Sequence, residues 1–185
     1  MTASPKANRG PSAGPENRRA LITAAREVFA AEGLAAPLSS VARRAGVGQG
    51  SLYRHFPDRI ALAVAVFDEN IADLELFVGD DASTLDGLLD RVIEQALVST
   101  AFIDVITAHP HDPRVAPLGE RLRDLVERIV EREKAAGRLG DHVDVDDVVL
   151  AISMLAGVLA RSDPDQRQDV GRRAWALFHA AFVPR

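Results

Sequence analysis

Cysteine is absent from the 185 residues, which removes disulfides, thiolate metal sites and any thiol nucleophile. Aromatic side chains are scarce, at 5% with one Trp and one Tyr. Alanine, valine and leucine abound instead, a balance suited to helices packed closely on one another. No stretch offers the ~20 uninterrupted apolar residues of a membrane span, and residues 1–17 lack the apolar run of a signal peptide. A cytoplasmic protein with no membrane attachment is expected. No run alternates strongly enough to predict a strand, and no internal repeat appears. With 47% hydrophobic residues and a mean hydropathy near zero, the chain can bury a core as one large domain or two small ones.

The net charge of −5 argues against a polyanion partner only until it is divided along the chain. Residues 1–59 carry nine Lys/Arg against four Asp/Glu, whereas residues 60–185 carry thirteen against twenty-three. A basic head that can meet nucleic acid is therefore joined to an acidic body that cannot.

Periodicity predicts helices throughout. Residues 1–14 are rich in Pro, Gly, Ser and Ala and read as a disordered tail. Pro15 and Glu16 suit the start of a first helix, along which Leu21, Ala24, Ala25, Val28 and Phe29 align until Gly33. Pro37 opens a second helix with Leu38, Val41, Ala42 and Ala45 on one face, and Gly46 ends it. A third runs from about Gln49 with Leu52 and Phe56 on one side, stopped by Pro57. From Ile60 the helices lengthen: 60–78, one or two within 85–108, one around 118–129 closed near Gly137–Gly140, then 145–160 and 165–182. The expected division is a tail (1–14), a three-helix unit (15–59) and an all-helical body (60–185).

The stretch AGVGQGSLYRHFP, Ala45 to Pro57, decides what the head does. A dinucleotide fingerprint needs a strand before its glycines, and a phosphate-binding loop needs a terminal Gly-Lys-Ser/Thr; neither is present. A helix-turn-helix accounts for every residue type. Gly46 turns the chain in the left-handed region, and Leu52 and Phe56 anchor the third helix inward. Gln49 and Tyr53 are then left one turn apart on an outer face, with Ser51 and His55 beside them. Gln49 can offer its amide to a base edge, and Gly50 lets the backbone approach a groove. Tyr53, Arg54, His55 and Arg59 can donate to phosphate oxygens.

The run from Arg18 to Leu62, with AAREVFAAEGL, PLSSVARRAGV and GQGSLYRHFPDRIAL, resembles the N-terminal DNA-binding domain of TetR-family transcriptional regulators. The resemblance covers about a quarter of the chain. It implies an all-α protein: a three-helix DNA-binding head and a helical effector-binding and dimerisation body, acting as a repressor released by a small molecule. It places Gln49, Gly50 and Ser51 where the family reads bases, Tyr53 and His55 where it grips phosphates, and Arg59 where many members have Lys. Two positions depart from the family pattern: Ala36-Pro37 replaces a hydroxyl cap before the second helix, and Gly48 stands where Ser often caps the third. Ser39 and Ser40 either touch phosphate or face solvent.

In the body, residues 145–160 and 170–182 are apolar on more than one face, which predicts a homodimer through the last two helices and a two-fold symmetric partner for a palindromic duplex DNA operator. Phe67, Ile71, Leu74, Phe102, Ile106, Met154 and Trp175 are candidate lining for an unidentified small-molecule effector, with ordinary core the alternative that each taken singly favours. The spacing of His109, His111 and Asp112 matches no standard metal site, and no cofactor is indicated. Glu-x-x-His pairs of a di-iron bundle are absent, so a helical-bundle enzyme is set aside. A regulator that needs no ligand, or one that needs a corepressor, is the alternative.

Overall fold

The computed structural model describes residues 13–94, 105, 108, 109, 111–163 and 165–184. Eight helices run through them, with no strand among the described residues, so the all-α expectation holds. They are α1 (Ala13–Glu32), α2 (Leu38–Ala45), α3 (Gln49–His55), α4 (Arg59–Val78), α5 (Leu85–Glu94), α6 (Ala116–Ala135), α7 (Val145–Ala160) and α8 (Arg167–Phe182). Of the expected tail, 1–14, Ala13 and Gly14 already belong to α1, and residues 1–12 lie outside the described residues, as do most of 95–107.

Helix α1 begins two residues before Pro15, which therefore falls in the first turn, where a missing N–H costs nothing. Pro37 takes the N-cap of α2 in extended backbone (φ −61°, ψ 134°) rather than the first helical position, and no side chain caps that end. Gly46 closes α2 at φ +66°, so that the Val47 N–H reaches the Ala42 carbonyl at 3.0 Å. An alanine there would have open space but a strained backbone. Leu21, Ile22, Ala25 and Phe29 of α1, Val41 and Ala42 of α2, and Leu52 of α3 with Phe56 just beyond are all buried in one cluster. Full burial of each large side chain contributes about 1.5–3 kcal/mol.

Helix α4 starts at Arg59 because Asp58 caps it, accepting from the Ala61 N–H at 2.7 Å. Its apolar first half buries Leu62, Ala63, Ala65, Val66 and Phe67, as a helix covered on several sides must. Arginines before and along α6 hold it at three levels in the same chain order, so the two helices run parallel. Arg114 donates to both Asp58 oxygens, at 3.1 and 2.8 Å. Arg121 clasps Glu75 through two 2.8 Å bonds and also reaches Asp68. Arg132 donates to the carbonyls of Val78 and Asp80, at 3.1 and 2.9 Å, and to the Ser83 hydroxyl. Beside it, buried Glu133 accepts from the first N–H of α5, Leu85, at 3.4 Å and from Arg138 through two 2.8 Å bonds. Adjacent residues of α6 thus satisfy orphan groups on both sides of the α4–α5 corner.

Asp144 and Asp147 form a capping box at the start of α7. Val148, Ile152, Leu155 and Leu159 face the core, whereas Leu150, Met154 and Val158, spaced at i, i+4 and i+8, are 58%, 52% and 45% exposed. On α8 the apolar residues divide between two faces. Val170, Ala174 and Phe178 are half-buried against the core, but Leu177 is 72% exposed and Ala181 also faces out.

Candidate nucleic-acid interface

Seven residues make α3, and neither end carries a side-chain cap. Gly48 at the N-cap supplies only its carbonyl, which accepts from the N–H groups of Ser51 and Leu52 at 2.9 and 3.1 Å. The helix is held by its underside. Leu52 and Phe56 are 1% and 2% exposed, and the Arg18 guanidinium lies 5.4 Å from the Phe56 ring centroid. With those two anchors inward, Gln49, Gly50, Tyr53 and Arg54 are exposed, and Ser51 and His55 are half-buried beside them. Arg54 lies back along the helix, its Nε donating to the Gly50 carbonyl at 3.2 Å.

Gly48 and Gly50 have ordinary φ angles, and a β-carbon built on either meets nothing within 4 Å. Neither glycine is required by the turn or by packing. A helix pays in stability for glycine, so the smallness of Gly50 has no internal use.

Ser39 is exposed at the start of α2. Ser40 instead lines a groove of about 480 Å³ between α1 and α2, where Glu27 and Glu32 stand near Arg43 and Arg44. Arg59, expected at a phosphate, is half-buried, and its Nη1 donates to the carbonyls of Leu34 and Ala36, which braces the α1–α2 loop. Two exposed cations were missed: Arg43 and Arg44 on the last turn of α2, the latter paired with Glu27 at 2.6 Å. Their place in a basic last turn was legible; which way they face was not.

Among the expected effector-lining residues, Phe67 and Ile71 are each 1% exposed, and Leu74 packs on the core. Trp175 is half-buried and donates to Asp86 at 2.6 Å. Met154 does not line the interior: it sits in the outer stripe of α7. Phe102 and Ile106 lie outside the described residues. His109 and His111 are exposed, and among the described residues no three His, Asp or Glu gather as metal ligands. No helix among them is long and apolar enough to cross a membrane.

Residues 21–66 match the family model of bacterial regulatory proteins, tetR family. TtgW, an uncharacterized HTH-type transcriptional regulator of Pseudomonas putida, is 38% identical over 108 residues, covering 58% of this chain and 72% of that one. Among solved structures, the TetR transcriptional regulator SCO0520 of Streptomyces coelicolor is 27% identical with a TM-score of 0.63, over 90% of this chain and 98% of that one. FadR of Bacillus subtilis, solved with stearoyl-CoA, shares the fold at 18% identity and a TM-score of 0.59, over 89% and 97% of the two chains. The chain spans between 42% and 72% of the length of the curated relatives it matches. A helix-turn-helix head carrying an all-helical body defines a transcriptional regulator rather than an enzyme. The chain belongs to the TetR family.

Proposed function

We propose that this regulator is a cytoplasmic repressor that binds a palindromic operator as a homodimer and is released by a small-molecule effector. The observation that carries the reading is the two-faced geometry of α3. Leu52 and Phe56 are sunk in the core, and Gln49, Gly50 and Tyr53 stand free on the outer face. Gln49 reads a base edge, Gly50 admits the backbone to the groove, and Ser51, Tyr53 and His55 hold sugar and phosphate. Arg43 and Arg44 extend the basic surface along α2.

Homodimerisation is supported by the outer stripe of Leu150, Met154 and Val158 together with Leu177. Apolar side chains at this spacing on adjacent helices suit a four-helix bundle with a second copy. Effector control is supported by FadR's capture with stearoyl-CoA in the same fold. A ligand among the middle helices tilts α4 and changes the spacing of the two heads, through its differential affinity for the two states.

Selection of preferred sites from random duplex DNA tests the whole reading. The expected motif is a palindrome whose half-sites lie a helical turn or more apart. Gln49→Ala should relax preference at one base step by about 1–3 kcal/mol, while Tyr53→Phe weakens all sequences alike. Failure to retain duplex DNA at low salt sinks the proposal. Retention that no cell metabolite reverses leaves a regulator without an inducer.

A further inference from the structure

Asp58 and Arg59 are adjacent and grip opposite parts of the molecule. Arg59 holds the α1–α2 loop through the carbonyls of Leu34 and Ala36. Asp58 is held from the body by Arg114, which also lies on Asp112 through bonds of 3.0 and 2.8 Å. The Arg114 N–H donates to Asp112 at 2.9 Å as well, so the local carboxylate pre-orients the guanidinium that reaches across. Opposing charges in consecutive positions therefore make residues 58 and 59 the junction between the DNA-reading helices and the body.

The ties along α4 are graded. At its start, the side chains of Arg114 and Asp58 are 41% and 50% exposed; at its end, Arg132 is 24% exposed and its partner Ser83 is buried. Exposed ion pairs are weak and screened by salt, whereas bonds from a sheltered guanidinium to carbonyls persist. We infer that Arg114 is a positioning residue: with Asp112 it latches the start of α4, and so the recognition helix, to the body, while Arg132 at the far end is the pivot. Across the roughly 30 Å length of a 20-residue helix, a tilt of about 10° about that pivot moves the start by about 5 Å. That is a large fraction of a major groove about 12 Å wide. The latch thus sets whether two heads fit one operator, without touching DNA. The inference rests on the DNA-binding reading above.

The test uses the full chain, whose lack of cysteine lets Thr23→Cys and Glu131→Cys, both at exposed positions, carry one pair of spin labels per protomer, with labelled chains diluted into unlabelled ones so that distances within a protomer are read. Arg114→Ala is expected to broaden the label–label distance distribution in the free protein. It should also weaken binding to the selected palindrome about tenfold and leave an isolated half-site unaffected. Arg114→Lys, which cannot fork onto two carboxylates, should fall between. An unchanged distance distribution overturns the latch, as does equal loss on palindrome and half-site. If the parent protein ignores duplex DNA, the DNA-binding reading falls and the spin labels alone decide the latch. Should Arg114→Ala not fold, Asp112→Asn is expected to give the same pattern at smaller amplitude, and its absence counts against the proposal.

Discussion

Consider alanine in place of Gly50, the second residue of α3. The added β-carbon meets nothing within 4 Å, and the backbone there has no positive φ. The folded protein therefore gains helix propensity without strain, and it also loses less backbone entropy on folding. In a first turn the gain is about 0.5 kcal/mol, toward the low end of the glycine-to-alanine range. For a chain of this size that raises the thermal midpoint by about 1–2 °C. Binding should move the other way. If α3 lies in a major groove with its backbone against the base edges, the methyl group holds it off. Loss of even one good base contact costs about 1–3 kcal/mol, or roughly five- to 150-fold in affinity. Calorimetric melting and fluorescence anisotropy on the selected operator read the two effects separately. A variant that is more stable and binds as tightly as the parent refutes the close approach, and with it the reason given for glycine at this position.

Three further outcomes follow from particular contacts. Gly171→Ala puts a β-carbon 2.9 Å from the buried Ile93 Cγ2, so overpacking of about 1–3 kcal/mol outweighs the propensity gain and the midpoint falls by a few degrees; an Ile93→Ala background should remove the penalty. Asp112 is held down to about 2 by the Arg114 side chain and backbone N–H, against an ordinary value of 3.8. Because its folded value is depressed, its stabilising contribution is present above pH 3.8 and fades as pH falls toward 2. Carbon NMR should show that low midpoint, returning toward 3.8 in Arg114→Ala; a parent Asp112 titrating at the ordinary value contradicts the pairing. Met154→Glu sets a charge in the outer stripe of α7, and uncompensated burial costs several kcal/mol. Sedimentation equilibrium should find it monomeric where the parent is dimeric, and equal association of the two would remove that stripe from the interface.

Charge segregation reconciles an acidic chain with a DNA-binding role. The excess of Lys/Arg lies before residue 60 and the excess of Asp/Glu after it. Several of the body's carboxylates are already committed to arginines of the same chain: Asp68, Glu75, Asp112, Glu133 and Asp146 each accept from one. The acidic field is thereby reduced close to α4, while Arg43, Arg44 and Arg54 are exposed on α2 and α3. Affinity gained from a few phosphate contacts should fall steeply with salt.

The outer face of α3 was legible from sequence because its signals are local. Leu52 and Phe56 are four residues apart, and their periodicity alone predicts which face of α3 turns inward. Gly46 similarly announces the left-handed turn before it. The internal bonds of Arg59 were hidden for the opposite reason. A cation beside a recognition helix looks the same on paper whether it faces phosphate or a carbonyl, and its partners Leu34 and Ala36 lie 23 to 25 residues away. Asp58 carried a readable cap signal, an aspartate between a proline and an apolar helix. Its second partner, Arg114, is 56 residues distant and nothing in the spacing points to it. Met154 failed through symmetry of pattern, since a helix apolar on every side does not say which stripe meets the protomer's own core and which is left outward. Periodicity therefore supplies the recognition surface, while the parts that set its orientation depend on pairings between residues far apart in the chain. In a regulator this division has a consequence: substitutions at positions 58, 112 or 114 should alter control of operator binding while leaving the base-reading motif intact.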